Sequence, residues 1–231
     1  MIRVFIGYDP KEAIAFHVLS HSILSRSTTP VSITPLVRGQ LGKYYTRQRG
    51  PMESTEFSMT RFLVPALSDY TGWSLYMDCD MLCLTDIARI EDEIWENLDK
   101  SVLVCQHDYT PAEGAKFLGQ PQTVYPRKNW SSLMIFNNEQ CRALTPSYVN
   151  IATGLELHRF LWTQDAQIGT LPVEWNWLVG EYPHNPNAKI LHYTLGGPWF
   201  SDTRRCDHAA DWLAEYKVMT GQDFYPTSGA W

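Results

Sequence analysis

The chain has 231 residues, 44% of them hydrophobic, which is enough to bury a sizeable core and argues against disorder. Its net charge of −6 and the lack of a basic patch disfavour a nucleic-acid partner, and no apolar run approaches the roughly 18 residues of a membrane span. The five cysteines are scattered without a Cys-x-x-Cys pair, which favours reduced thiols and a cytoplasmic location over a zinc ribbon or a disulfide framework.

Strand and helix patterns alternate along the chain. Short apolar runs predict strands, and apolar residues at spacings of three and four predict helices. Strands are predicted at residues 2–7, 31–37, 73–78, 101–106, 131–137 and 188–193, and helices at 10–26, 57–65, 163–171 and 207–221. A polar loop is predicted at 38–55, and a long loop with proline and glycine, of a kind usually kept for function, at 107–129. This order predicts one α/β domain over residues 1–231 with a largely parallel central sheet.

The strand at 73–78 ends in the sequence Asp-Cys-Asp. Residues i and i+2 of a strand face the same way, so Asp78 and Asp80 point together and repel unless a cation lies between them. Hard carboxylate ligands suit Mg²⁺, Mn²⁺ or Ca²⁺. The alternative is a strand end with two solvated acids. Asp9 and Asp108 also follow predicted strands, at the carboxyl ends where open α/β sheets bind ligands.

Six segments, in this order, resemble glycosyltransferase family 8 and its relatives, which have the GT-A fold. They are FIGYDPKEAIAFHVLSHSI at 5–23, FSMTRFLVPAL at 57–67, LYMDCDMLCLTDI at 75–87, NWSSLMIFNN at 129–138, WTQDAQIGTLPVEWNW at 162–177 and ILHYTLGGPWF at 190–200. The resemblance implies a central mixed, mostly parallel sheet. It also implies metal-dependent transfer of a sugar from a nucleotide-diphosphate donor, a UDP-sugar, with retention of configuration. The acceptor, a carbohydrate, a lipid-linked sugar or a protein, is left open.

The resemblance also implies the ligands of the metal. Asp78 and Asp80 belong to the Asp-x-Asp motif, and His192 is expected as the third protein ligand. An imidazole ligand favours Mn²⁺ over Mg²⁺ as the cofactor. Such a cation neutralises the charge that develops on the leaving diphosphate. The alternative for His192 is a histidine at a strand end that is hydrogen-bonded in the core.

Donor contacts and a catalytic pair are implied in the same way. The expected donor-binding residues are Gly7, Tyr8 and Asp9 for the uridine and ribose, Arg61, Asp78, Asp108 for the sugar hydroxyls, and Gly196, Gly197 and Trp199. Gln164 and Asp165 match the catalytic pair close to the anomeric carbon. The alternatives are an Asp-Pro turn at Asp9, a core ion pair at Arg61, a loop acid at Asp108 and a helix N-terminal turn at the Gln-Asp pair.

One departure from the family pattern bears on activity. A lysine that clamps the diphosphate usually stands just before the Pro-Trp pair, and here that position is Gly197. Glycine amides could serve in part, and Arg204 or Arg205 could supply the missing charge. The second interpretation is therefore a catalytically weak or inactive relative that binds sugars or nucleotide sugars.

Two other enzyme classes fit less well. A phosphatase of the haloacid dehalogenase type also has a strand followed by Asp-x-Asp, but it needs Thr or Val where Leu82 stands. A nucleotidyltransferase shares the fold and the use of metal, but it usually has a glycine-rich basic stretch after its first strand. The segment GYDPKEA at 7–13 does not provide one.

Overall fold

The computed structural model describes residues 1–50, 53–108 and 126–225, and the backbone of two short strands at 115–116 and 120–121. Most of the loop predicted at 107–129 lies outside the described residues. The strands are β1 (Ile2–Gly7), β2 (Val31–Leu36), β3 (Trp73–Met77), β4 (Met81–Cys83), β5 (Val102–Cys105), β6 (Ala115–Lys116), β7 (Gln120–Pro121), β8 (Leu133–Asn137), β9 (Ile168–Leu171), β10 (Trp177–Leu178) and β11 (Ile190–His192). The α-helices are α1 (Ala13–Arg26), α2 (Val64–Leu67), α3 (Ile90–Trp95), α4 (Pro146–Ile151), α5 (Gly154–His158) and α6 (Ala209–Thr220).

The main sheet has six strands in the order β2-β1-β3-β8-β5-β9. Strand β8 is antiparallel to both of its neighbours, and the other pairs are parallel. The predicted α/β architecture with a mixed, mostly parallel sheet is confirmed. Pro35, which cannot donate to a strand ladder, lies in β2 at the edge of the sheet, where the missing N–H does least harm.

A second, smaller sheet has the order β10-β11-β4. Three residues, 78–80, separate the end of β3 from the start of β4, and this short connection joins the two sheets. A second apolar core packs against this sheet around Tyr193, Trp199 and Trp212, beside the larger core of the main sheet. The main sheet and the second sheet therefore meet at Asp78 and Asp80.

Helix α1 buries one face against the cores through Phe16, Leu19 and Ile23, the spacing from which it was predicted. Helix α6 ends as predicted before Gly221, whose φ of 72° is the left-handed conformation that favours glycine. No helix among the described residues has both the length and the apolar character needed to cross a membrane.

One predicted helix is displaced and one is wrong. The helix predicted at 57–65 begins as a 3₁₀ turn, Thr60–Leu63, and continues as the short α2, in which Pro65 is tolerated near the start. Residues 163–171 form the 3₁₀ turn Asp165–Gln167 and then strand β9. Because β9 pairs along its length with β5, sheet formation decides its conformation rather than local helical spacing.

Candidate active site

The second sheet brings three side chains of metal-binding type to one point beyond the carboxyl end of β3. Asp78 directly follows β3, Asp80 directly precedes β4, and His192 ends β11. Met81 faces His192 across the antiparallel pair, and the N–H of Tyr193 donates to the carbonyl of Asp80 at 2.9 Å. One potential ligand atom from each of the three side chains lies within 4.8 Å of the others. This cluster, Asp78, Asp80 and His192, has the spacing and chemistry to hold one cation.

Asp78 is fixed by two neighbours. Arg61 places Nη1 3.0 Å from Oδ1 of Asp78, and the hydroxyl of Tyr76 donates to the same oxygen at 2.7 Å. Arg61 is itself buried and also donates to the carbonyl of Ser131 at 2.8 Å. Burial raises the pKa of Asp78 and the charge of Asp80 raises it further, whereas Arg61 lowers it. The carboxylate is therefore held in place, with the guanidinium of Arg61 against it.

The imidazole of His192 is oriented by the buried side-chain amide of Asn176. Its Nδ1 lies 3.0 Å from Oδ1 of Asn176, whose amide nitrogen donates to the hydroxyl of Ser132 at 2.9 Å. With its nitrogen on Ser132, Asn176 offers His192 an acceptor, so Nδ1 of the imidazole carries the proton. The other ring nitrogen, Nε2, faces Asp80, whose Oδ1 is 3.4 Å away. A ligand histidine that donates its second N–H to a fixed acceptor is the arrangement common in metal sites.

A further carboxyl group in this region belongs to Glu12, for which the sequence predicts no role. It is only 3% exposed, in the 3₁₀ turn that follows Asp9. Burial raises its pKa well above the ordinary value, and the charges of Asp80, Asp9 and Asp78 raise it further. The turn is stabilised by Pro10 at its start and by the side chain of Asp9, which accepts the N–H of Lys11. The sequence therefore predicts the turn, but it does not predict that the side chain of Glu12 points into the protein. Four carboxyl groups thus share one small region.

The strand-end residues of β1 lie beside this group. A side chain on Gly7 would overlap the rings of Phe57 and Tyr76, so glycine is required by close packing. Tyr8 is half-buried and packs edge-to-face on Phe16, with ring centroids 5.5 Å apart.

Both carboxylate oxygens of Asp9 accept backbone N–H groups. Lys11 donates to Oδ1 at 3.0 Å, and Glu56 donates to Oδ2 at 3.2 Å. The turn interpretation therefore accounts for the hydrogen bonds of Asp9 in this structure.

The segment 196–199, where the family pattern has its lysine, packs around the indole of Trp199. Gly196 has a φ of 104°, and a side chain on Gly197 would overlap the ring of Trp199. Trp199 is buried against Tyr193 and Trp212, with ring centroids 5.6 and 5.3 Å away. The indole thus fills the space into which a side chain at position 197 would project.

Arg204 and Arg205, the predicted substitutes for that lysine, are exposed in the segment before α6.

Asp108 is exposed beyond the carboxyl end of β5, at the same edge of the sheet as Asp78. The preceding His107 is buried, and its Nδ1 lies 2.9 Å from the hydroxyl of Tyr182. Burial, with a smaller contribution from His192, lowers the pKa of His107 to about 3. His107 is therefore a neutral side chain, held by Tyr182, directly before Asp108 in the chain.

Gln164 and Asp165 lie elsewhere. They precede β9, and the N–H of Ser101 at the start of β5 donates to the carbonyl of Gln167. They therefore lie at the amino end of β9, and three strand spacings, about 14 Å, separate β9 from β3. Asp165 is 81% exposed and pairs with Arg127 at 2.7 Å. No contact between this pair and Asp78 is present among the described residues, and its catalytic role stays a prediction.

Comparison with known sequences gives one curated relative of high similarity. The chain is 48% identical to Protein CDI of Arabidopsis thaliana over 223 residues, which are 92% of this chain and 85% of that protein. No family model matches the sequence.

The solved structures whose fold is similar to that of this chain include several glycosyltransferases. The bifunctional glycosyltransferase WbbM matches with a TM-score of 0.65 at 16% identity over 93% of this chain and 49% of its own. GlyE of Streptococcus pneumoniae matches with a TM-score of 0.62 at 14% identity, over 99% of this chain and 66% of its own. The galactosyltransferase LgtC, solved with donor and acceptor sugar analogues, has a TM-score of 0.60 at 11% identity and 98% coverage of both chains. This chain thus spans about half of WbbM and two thirds of GlyE, and it has the GT-A fold that the sequence motifs predicted.

Proposed function

We propose that this chain, which belongs to the same family as Protein CDI of Arabidopsis thaliana and has the GT-A fold, is a metal-dependent glycosyltransferase. The proposed donor is a nucleotide-diphosphate sugar, in particular a UDP-sugar. The acceptor is a carbohydrate, a lipid-linked sugar or a protein. The observation that supports this most strongly is the convergence of Asp78, Asp80 and His192 beyond the carboxyl end of the sheet.

The charge of the site supports a bound divalent cation. Asp9, Glu12, Asp78 and Asp80 act on one another electrostatically in this region, and Arg61 is the cation that the structure pairs with Asp78. A divalent ion would relieve this excess of negative charge. The two carboxylates and the imidazole of the cluster fit Mn²⁺ better than Mg²⁺, which prefers oxygen ligands alone. Bound there, the ion would neutralise the developing charge on the leaving diphosphate.

The residues around the cluster would prepare it for the donor. Arg61 and Tyr76 hold Asp78 by hydrogen bonds, so this carboxylate needs little reorganisation to bind a cation. Asn176 holds Nδ1 of His192, so that Nε2 is directed towards Asp80. Their common effect is a site that is ordered before the donor arrives.

We assign the donor contacts by position. Gly7, Tyr8 and Asp9 at the end of β1 would bind the uridine, Asp108 the sugar hydroxyls, and the amides of Gly196 and Gly197 the diphosphate, with Trp199 behind them. Retention of configuration rests on the resemblance to family 8 alone. NMR of the first-formed product distinguishes it from inversion.

A second function has one specific observation in its favour. The lysine of the family pattern is replaced by Gly197. Trp199 fills the space beside this glycine, so a lysine side chain could be accommodated there only if the indole moved. A protein with this feature could bind nucleotide sugars without turning them over. Mn²⁺-dependent hydrolysis of the bound donor supports the enzyme, and binding without hydrolysis or transfer supports the alternative.

A thermal-shift panel of nucleotide sugars, with and without Mn²⁺, tests donor binding. A ligand that binds the folded state raises Tm by mass action, so we expect an increase for uridine diphosphate sugars in the presence of Mn²⁺. Adenosine and guanosine diphosphate sugars are the matched controls. No increase with any nucleotide sugar would contradict the proposed function.

We also propose a cytoplasmic location and a single functional domain over residues 1–231. All five cysteines are free thiols, as expected in a reducing compartment. Five reactive thiols in denatured protein, isolated from its native cells without reductant, would support the location; fewer would contradict it.

A further inference from the structure

We propose a second metal site, specific for Zn²⁺, formed by His184, Asp207 and His208. One potential ligand atom from each lies within 4.8 Å of the others, in the same range as the cluster described above. His184 belongs to the segment between β10 and β11, and the other two residues directly precede α6. A metal here would join that segment to the start of the helix. This inference does not rest on the proposed function.

The distances between the three side chains are close to those of a zinc site. Nδ1 of His184 lies 2.8 Å from Oδ1 of Asp207, and Nε2 of His208 lies 3.7 Å from Oδ2 of the same carboxylate. Tetrahedral Zn²⁺ with bonds of about 2.1 Å places its ligand atoms roughly 3.4 Å apart. The observed separations lie on either side of this value, so adjustments of less than about 1 Å would admit the ion.

His208 supplies the strongest indication of a ligand. Its side chain is 3% exposed, its Nδ1 is 2.7 Å from Oδ2 of Asp211, and its buried Nε2 has no hydrogen-bond partner. Asp211 thus fixes the tautomer and turns Nε2 towards Asp207. A buried imidazole nitrogen that lacks a hydrogen bond is costly, and a metal would satisfy it. The Asp211–His208 pair has the carboxylate–histidine form found behind metal ligands.

His184 must move for zinc to bind. Its ring stacks on that of His208, with centroids 4.2 Å apart and planes at 13°, whereas a metal must lie close to the plane of each ring that binds it. Because the side chain of His184 is 60% exposed, it can rotate out of the stack at little cost. For its Nδ1 to bind zinc, His184 must also give up its hydrogen bond to Asp207.

The chemistry of this site differs from that of the cluster at Asp78. Two imidazoles and one carboxylate favour Zn²⁺, whereas two carboxylates and one imidazole favour harder ions such as Mn²⁺. Oδ1 of Asp207 lies 2.8 Å from Nδ1 of His184 and accepts the backbone N–H of His208 at 3.0 Å, so the carboxylate is already oriented between the two histidines.

Zinc stoichiometry tests the proposal on the whole chain. Metal-free protein is titrated with Zn²⁺, and bound zinc is counted by mass spectrometry after gel filtration. We expect His184→Ala and Asp207→Asn each to bind one equivalent fewer than wild type, because both side chains are partly exposed and the variants should fold. His17→Ala, which removes an exposed histidine of α1, is the matched control and should keep the wild-type count.

A second readout is the Tm. At a hundredfold excess over its Kd, zinc should raise the Tm of the His192→Ala variant, which lacks the other cluster, by roughly 5 °C. The same increase should be absent when His184→Ala is added to that variant. Retention of the zinc equivalent by either His184→Ala or Asp207→Asn, or an undiminished shift in the double variant, would overturn the proposal.

Discussion

Asn176, in the turn directly before β10, and His192, at the end of the neighbouring strand β11, are joined by a buried hydrogen bond of 3.0 Å between Oδ1 and Nδ1. The bond fixes which imidazole nitrogen carries the proton and leaves Nε2 facing Asp80 at 3.4 Å. The proposed metal site therefore depends on a residue that does not itself reach the metal.

Replacing Asn176 tests this dependence. Asn176→Ala should weaken Mn²⁺ affinity about tenfold or more, because the imidazole loses the partner that orients it. Asn176→Asp keeps an acceptor at the same place and should retain most of the affinity. Mn²⁺ titration by calorimetry gives both values. Equal weakening in the two variants would indicate a packing effect rather than orientation of His192.

Glu12 should make the stability of the metal-free protein fall with rising pH. Its pKa is raised above the ordinary value of 4.5, first by burial and then by Asp80, Asp9 and Asp78. The folded state thus binds this proton more tightly than the unfolded state does. The contribution to stability is complete below pH 4.5 and is lost as the pH rises through the folded-state pKa. Glu12→Gln cannot ionise, so its Tm relative to wild type should increase from about pH 5 to about pH 8.

The matched control for this measurement is Glu96→Gln, a change at an exposed glutamate. All variants are compared by differential scanning fluorimetry in the presence of a chelator. Saturating Mn²⁺ should narrow the difference between Glu12→Gln and wild type, because a nearby cation favours ionised Glu12. A Tm difference that is the same at both pH values would show that Glu12 does not titrate differently in the folded state.

Gly197 should not accept a side chain. In Gly197→Ala the new methyl group would overlap the buried indole of Trp199, which Tyr193 and Trp212 hold in place. We expect a loss of about 1–3 kcal/mol in the free energy of unfolding, measured with urea. Gly39→Ala is the control, since nothing lies within 4 Å of the added methyl group, and it should change stability by no more than about 0.5 kcal/mol. A Gly197→Ala protein as stable as wild type would mean that the indole can move aside for a lysine.

Arg204 and Arg205 are the proposed replacement for that lysine. Both are exposed, in the segment between Trp199 and α6. If this segment closes over the diphosphate, changing both to alanine should lower donor turnover about tenfold, equivalent to about 1.4 kcal/mol in the barrier. Arg89→Ala, in the turn before α3, is a control of the same type. Turnover within twofold of wild type would place the phosphate contacts elsewhere.

The sequence predicts most of the main sheet because buried strands appear as continuous apolar runs. Strand β9 was mistaken for a helix because its four residues, IGTL, do not show a clear period of two. Strand β4 follows β3 so closely that the pattern gives no boundary between them. In both cases pairing with a distant strand decides the conformation, and local sequence does not contain that information.

Only the residues of the site that belong to recognisable motifs could be predicted from the sequence. Asp78 and Asp80 follow from alternation in a strand, and His192 from the family resemblance. The burial of Glu12 and the pairing of Asn176 with His192 depend on how α1 and β10 pack, which a single sequence does not specify. Gln164 and Asp165 match a motif, but only the short turn Asp165–Gln167 separates them from β9, where the sequence pattern predicted a helix.

The most direct test of the central claim is the affinity for uridine diphosphate, measured by calorimetry with and without Mn²⁺, in wild type and Asp80→Asn. The account predicts that Mn²⁺ strengthens binding in wild type and in the exposed control Asp99→Asn, whose side chain is 72% accessible. In Asp80→Asn the affinity with Mn²⁺ should fall at least about tenfold and become independent of the metal. An unchanged Mn²⁺-dependent affinity in Asp80→Asn would contradict the assignment of Asp78, Asp80 and His192 as the metal site.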